Sequence, residues 1–267
     1  MPAWYRAKPL MRTPAIELKV GEIHVWQADP TEIQDPDRLA RYAAWMTDEE
    51  LARQQRLIFP RHRHAFLVAR ALVRGTLSRY LPAISPEQWR FVIGEHGRPD
   101  IDPALGVGSL RFNLSHTDGR AVIALGRAEI GVDVEARDRR GDLRGIARHF
   151  FAAAEVEAIT GLEGAALAER FFATWTLKEA YMKARGVGIS LGLGRFWFVL
   201  DDAGSITIRF APSLVDDPES WSFCRFDLSE MHPVALALRW PRIRPLRVRL
   251  FAGLPGEASP GCREILP

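Results

Sequence analysis

The chain sets out one order of elements twice: strand, helix, then several short strands, once on each side of about residue 127. The two passes match in element order and not in residue identity. Such a repeat predicts an α+β fold made of two similar halves packed together. In the first pass, residues 18–28 alternate apolar and polar side chains, which predicts a strand. Residues 37–56 predict a helical stretch in which Thr47 stands as a cap ahead of Asp48, Glu49 and Glu50, acids that suit a helix start. Residues 61–81 carry Phe66, Leu67, Ala69, Ala71, Leu72, Val73 and Leu77 at helical spacing, the pattern of a long packed helix, with Pro82 closing it. Short strands are predicted at 89–93, 110–114 and 121–125. The second pass reads as a strand at 130–135, helices over 143–185, strands at 196–200 and 206–210, and a closing pair at 221–227 and 234–240. The expected organisation is an N-terminal half over 1–126, a C-terminal half over 127–240, and a basic extension over 241–267. That extension carries Arg242, Arg244, Arg247 and Arg249 among Gly and Pro, and is expected to be loosely held.

Composition narrows the class. Hydrophobic residues at 47% and charged residues at 26% argue against a disordered or collagen-like chain. No apolar run approaches the roughly 18 residues of a membrane-spanning helix, and residues 1–17 lack the apolar core of a secretory signal. Cys224 and Cys262 are far apart, which argues against a paired-cysteine zinc site or a disulfide framework and fits a cytoplasmic protein. The net charge of +3, dominated by arginine, fits either an ordinary solvated surface or an anionic partner: nucleic acid, a phosphate-rich ligand or an acidic protein.

Three segments carry chemistry. In Ile130-Gly131-Val132-Asp133-Val134-Glu135, strand alternation puts Asp133 and Glu135 on one face, within about 7 Å of each other. Two such carboxylates repel unless a cation or water intervenes, and hard oxygen ligands suit Mg²⁺. The bland alternative is a half-exposed edge strand with surface acids. In Trp175-Thr176-Leu177-Lys178-Glu179-Ala180-Tyr181-Met182-Lys183, helical spacing gathers Trp175, Lys178, Glu179 and Lys183. This face offers either a carboxylate for a metal or a proton, with lysines for phosphate oxygens, or merely an i, i+4 ion pair. In Phe112-Asn113-Leu114-Ser115-His116, Ser115 and His116 end a strand before the Asp118-Gly119 turn. No GxSxG elbow surrounds Ser115, so a serine hydrolase is not supported. A donor pair for a phosphate, or a histidine capping a turn, remain.

Together and in this order, the three segments resemble the Sfp-type 4′-phosphopantetheinyl transferases, whose pattern is N-[IL]-S-H, G-[IV]-D-[IV]-E and W-x-x-K-E-[AS]-x-x-K. Every signature position is filled, and the resemblance covers about residues 20–240. It implies a pseudo-two-fold pair of α+β halves with coenzyme A in the cleft between them. It implies transfer of the 4′-phosphopantetheine arm to a serine of an apo acyl or peptidyl carrier protein, releasing 3′,5′-ADP. Asp133, Glu135 and Glu179 would bind Mg²⁺. His116 and Lys183 would hold phosphate oxygens, and Ser115 would line the nucleotide pocket. Arg98, in the Gly97-Arg98-Pro99 turn, stands where the family commonly has Lys near the phosphates or adenine. Glu179, Lys183 and His116 are the candidate catalytic residues, with Glu179 as base or as metal ligand. Lys178 is a further candidate for coenzyme A. The family's basic grip on the 3′-phosphate falls among Arg53, Arg56, Arg61, Arg63, His64, Arg70 and Arg74, with Arg63 and Arg70 as candidates and Ala65 at the key position in an alternative register. A monomer is expected, since two halves in one chain can build the cleft, and neither nucleic acid nor membrane is an expected partner. Two other readings stay open: a Mg²⁺-dependent phosphotransferase without a carrier substrate, and a basic nucleic-acid-binding module.

Overall fold

The computed structural model describes residues 15–138, 141–201, 204–253 and 261–265. The first half runs β1 (Glu22–Ala28), α1 (Pro36–Ala44), α2 (Asp48–Gln55), α3 (Pro60–Tyr80), β2 (Phe91–Ile93), β3 (Pro99–Ile101), β4 (Arg111–Thr117) and β5 (Arg120–Gly126). The helix expected over 37–56 is two helices, and the cap explains the break. Thr47 is extended (φ −76°, ψ 163°); its hydroxyl accepts from Glu50 N at 3.2 Å, and the Glu50 carboxylate accepts from Thr47 N at 3.1 Å. A reciprocal cap of this kind requires a non-helical residue at its head, so it ends one helix as it starts the next. Helix α3 buries Leu67, Val68, Leu72 and Leu77 against Trp26 and Phe112 of the sheet.

The second half runs β6 (Ile130–Val134), α4 (Leu143–Phe150), α5 (Ala153–Ile159), α6 (Gly164–Arg185), β7 (Phe196–Leu200), β8 (Ile206–Phe210), β9 (Ser222–Ser229) and β10 (His232–Leu238). Its main sheet has the order β6-β10-β9. Helix α6 lies on this sheet so closely that a Cβ on Gly131 would stand 1.9 Å from Ala180 O. Only glycine permits that approach. The glycine of the Gly-Val-Asp-Val-Glu run therefore sets the distance between the strand's acids and the helix.

The described residues of the expected extension over 241–267 include two strands. Strand β11 (Arg247–Ala252) lies parallel to β1, and β12 (Gly261–Ile265) pairs antiparallel with β11, giving the five-stranded order β12-β11-β1-β5-β4. Val248, Leu250 and Phe251 are buried, and Phe251 stacks on Trp26 at 4.6 Å. Arg247 and Arg249 alternate with Val248 and Leu250, so the basic composition conceals an ordinary amphipathic strand.

The two sheets share an apolar layer in which Ile23, Val25, Val122 and Ala124 meet Ile130, Val132, Val234 and Leu236. At its margin, side chains of β4 complete the edge of β6: Asn113 Oδ1 accepts from Val132 N at 2.9 Å, and Ser115 Oγ accepts from Val134 N at 3.3 Å. These bonds satisfy backbone donors at a buried edge.

Candidate active site

The alternation of β6 sends Asp133 toward α6, where it is only 3% exposed. Lys183 Nζ donates to Asp133 Oδ1 at 2.6 Å and to Ser115 Oγ at 2.9 Å, and Ser115 Oγ in turn donates to Asp133 Oδ1 at 3.0 Å. The other carboxylate oxygen, Asp133 Oδ2, is buried and has no hydrogen-bond partner. Past the end of the strand, Glu135 Oε1 accepts from Trp175 Nε1 of α6 at 2.9 Å. One turn along, Glu179 is pushed up to about 7, chiefly by burial, with the charges of Asp133 and Glu135 adding to the rise and Lys183 opposing it. Three carboxylates thus feel one another across the β6–α6 seam, balanced locally by one ammonium.

Among the described residues, no three His, Cys, Asp or Glu side chains close into a metal cage. The chemistry nevertheless fits a divalent ion: oxygen donors only, excess negative charge, and an orphaned oxygen on Asp133. Mg²⁺ usually takes one or two carboxylates and leaves its remaining positions to phosphate and water, so a closed protein cage is not the expected form.

Two cavities flank the acids. One of about 550 Å³ is lined by Arg53, Phe66, Arg70, His116 and Glu135, among others. The guanidinium groups of Arg53 and Arg70 lie 5.9 and 5.1 Å from the Phe66 ring centre. Burial lowers the pKa of Arg70, and Arg70 Nε has no hydrogen-bond partner. His116 is lowered as well, first by burial and then by the charges of Lys183, Arg70 and Arg53. The recess sets Arg53 and Arg70 against Asp118, Glu135 and Asp138, and the unfilled Arg70 Nε on its cationic side is chemically suited to a phosphate. The other cavity, about 230 Å³, is lined by Gly97, Arg98, Asn113, Glu179 and Lys183. A larger one, about 710 Å³, lies beyond Arg98 and includes none of the three acids. Converging charge, not volume, identifies the site.

A family model for the 4′-phosphopantetheinyl transferase superfamily matches residues 129–238. The chain is 35% identical over 182 residues to 4′-phosphopantetheinyl transferase HetI of Nostoc sp., covering 68% of this chain and 76% of that protein. It is 26% identical over 193 residues to 4′-phosphopantetheinyl transferase Sfp of Bacillus subtilis, covering 72% and 80%. This chain belongs to the 4′-phosphopantetheinyl transferase superfamily. A holo-(acyl-carrier-protein) synthase from Bacillus anthracis, solved with CoA (3′,5′-ADP), matches with a TM-score of 0.35 and 22% identity over 42% of this chain and 94% of that one. That likeness is too slight to carry any argument.

In this transferase the expected residues divide. Asp133, Glu135, Glu179 and Lys183 meet at the seam, and His116 and Arg70 line the adjoining recess. Ser115 is present but placed differently: it is 4% exposed, and its hydroxyl braces Asp133, Lys183 and Val134 instead of facing a nucleotide pocket. Lys178 does not reach the cleft at all. It is fully buried, paired with Glu155 at 2.7 Å, and donates to Leu193 O and Phe196 O at 2.7 and 2.6 Å. One residue along a helix turns the side chain by about 100°, so Lys178 and Glu179 point to different neighbours. Arg63 folds back on its own corner, donating to Leu57 O and Ile58 O. Arg98 borders the smaller cavity, but its Nη1 donates to Lys183 O and Ala184 O, holding the end of α6.

Sequence reasoning named Arg53 only within the set of arginines for the 3′-phosphate and did not single it out, and it missed Trp175 as the donor that fixes Glu135 and Asn113 as the bridge to Val132. A signal existed for each: the tryptophan one turn before Glu179, the asparagine two residues before Ser115, and Arg53 one helix before Arg70.

Proposed function

We propose that this transferase moves the phosphopantetheine arm of coenzyme A to a serine of an apo acyl or peptidyl carrier protein, with Mg²⁺ held by Asp133, Glu135 and Glu179. The observation that carries the metal assignment is the buried, unpartnered Asp133 Oδ2 beside two further carboxylates. When bound, the ion supplies charge neutralisation at the pyrophosphate oxygens. The serine oxygen bonds to the β-phosphorus, the bond from that phosphorus to the bridging oxygen breaks, and 3′,5′-ADP leaves with the electron pair. Lys183 stabilises the charge that builds on the departing 5′-phosphate of 3′,5′-ADP. A carboxyl group near 7 is matched to accepting the serine proton at neutral pH, which supports Glu179 as the base. Binding the ion draws on the same lone pairs, so the two roles of Glu179 compete. Arg53, Arg70 and His116 hold the 3′-phosphate on the cationic side of the recess, a reading supported by the unfilled Arg70 Nε. The enzyme works as a cytoplasmic monomer; that both walls of the seam come from one chain supports this, and no described helix is long and apolar enough to cross a membrane.

The test is incubation with coenzyme A, Mg²⁺ and a panel of apo carriers, followed by intact mass. A gain of one phosphopantetheine on a carrier is the expected result. No gain on any carrier would favour a phosphotransferase with a different acceptor.

A further inference from the structure

The corner between α2 and α3 has no part in the chemistry above, yet it borders the recess. Leu57 and His62 line the same cavity as His116 and Glu135. Beside them, Ile58 is 82% exposed and Phe59 is 52% exposed, an adjacent apolar pair standing in solvent. The corner is held in shape: Arg63 Nη1 donates to Leu57 O at 2.9 Å and Ile58 O at 3.3 Å, and Gln54 Nε2 donates to Arg63 O at 2.9 Å. Pro60 opens α3 directly after the pair. Residues 53–64 contain Arg53, Arg56, Arg61 and Arg63, with His62 and His64, and no acid. The Arg61 guanidinium lies 5.4 Å from the Phe59 ring centre, so positive charge rims the apolar tip.

We infer that this corner is the docking surface for the carrier protein, with Ile58 and Phe59 seated in an apolar notch on a face that also bears carboxylates. The inference rests on the proposed function for the identity of the partner. Its surface chemistry follows from charge complementarity: a rigid apolar tip within an acid-free basic segment fits a partially apolar, acidic face. Position follows from reach, since a partner seated on the lip of the recess can present its serine to the acids without crossing the molecule. The other exposed apolar pair, Val92 and Ile93, lacks these properties: it has Glu95 and Asp100 nearby in the chain and adjoins the larger cavity without the acids. The other exposed large apolar residues among those described, Val20, Val199, Val215, Met231 and Ile243, stand singly in the chain.

The experiment is steady-state transfer by wild type, Ile58→Ser/Phe59→Ser and Arg61→Glu, varying coenzyme A and an apo carrier separately. Both variants are expected to raise KM for the carrier about tenfold, as loss of an interface anchor does, while KM for coenzyme A stays unchanged. The carrier KM of wild type should rise with salt, and that of Arg61→Glu should rise less. An unchanged carrier KM in the double variant, with wild type active, overturns the docking surface and leaves the proposed function standing. A wild type that modifies no carrier in the panel overturns both. Calorimetric coenzyme A binding equal in all three proteins shows that the variants are folded.

Discussion

Helix α6 presents two polar faces, and they are opposite in character. Toward the body of the second half, Lys178 and Glu155 form a closed set. The ammonium has Glu155 and two carbonyls; the carboxylate also accepts from Ala152 N at 3.0 Å and Phe198 N at 2.9 Å. Burial raises the pKa of Glu155 and lowers that of Lys178, yet each holds the other's charge. Toward β6, Glu179 and Lys183 share a region with Asp133 and Glu135, where acids outnumber the cation and one oxygen has no partner. The difference teaches how to tell scaffold from site. A buried charge with every bond made fixes the helix, whereas crowded like charges with an unfilled position await a ligand.

The comparison breaks most visibly at Lys178. Lys178→Met leaves Glu155 buried and unpaired, and should cost about 3–5 kcal/mol in urea unfolding, with Lys178→Met/Glu155→Leu recovering most of it. A loss below about 1 kcal/mol would mean that the closed face is not structural. On the open face, Asp133→Ala should leave the melting temperature near that of wild type, because losing the acceptor of Lys183 and Ser115 is offset by relief of repulsion with Glu179. It should lower kcat about 10²–10³-fold; near-normal turnover with Mg²⁺ would contradict the metal assignment. Lys183→Ala should reduce kcat/KM about 10- to 100-fold, the range for one charged hydrogen bond. An unchanged ratio would assign this lysine to the scaffold with Lys178.

The smallest effect sharpens the rule. His24 in β1 is fully buried, and its Nε2 lies 3.4 Å from one carboxylate, that of Glu22, not among several. Its neighbours are Glu22 on its own strand, Tyr80 of α3 at 2.8 Å, and Arg249 and Phe251 of β11. Burial lowers it to about 4. The folded state therefore keeps the ring neutral while the unfolded chain takes up a proton below about 6.5. Stability should be full above pH 6.5 and fall as the pH drops toward 4, and His24→Gln should flatten that part of the profile. An identical profile in the variant would show that other groups cause the loss.

Much of this was legible in the residues. The apolar spacing around Leu72 and Leu77 marked α3, the acids after Thr47 marked a cap, and the Gly-x-Asp-x-Glu alternation put Asp133 and Glu135 on one strand face. The parts that escaped depend on distant partners. Nothing local distinguishes Lys178 from Lys183, since both are within one turn of Glu179; their roles are set by Glu155 and Asp133, which come from other elements. The parallel pairing of β11 with β1 joins opposite ends of the chain, and arginines masked its alternation. The resemblance puts Arg63 and Ser115 at the ligand, but the directions of their hydrogen bonds are decided by the loop and strand edge beside them.

The most direct test places an anomalous scatterer where the ion belongs: crystals grown with coenzyme A and Mn²⁺, with diffraction recorded at the manganese edge. A single peak within coordinating distance of Asp133, Glu135 and Glu179 carboxylate oxygens and the coenzyme A diphosphate is the predicted result. A peak elsewhere, or coenzyme A bound with no metal at those oxygens, would contradict it.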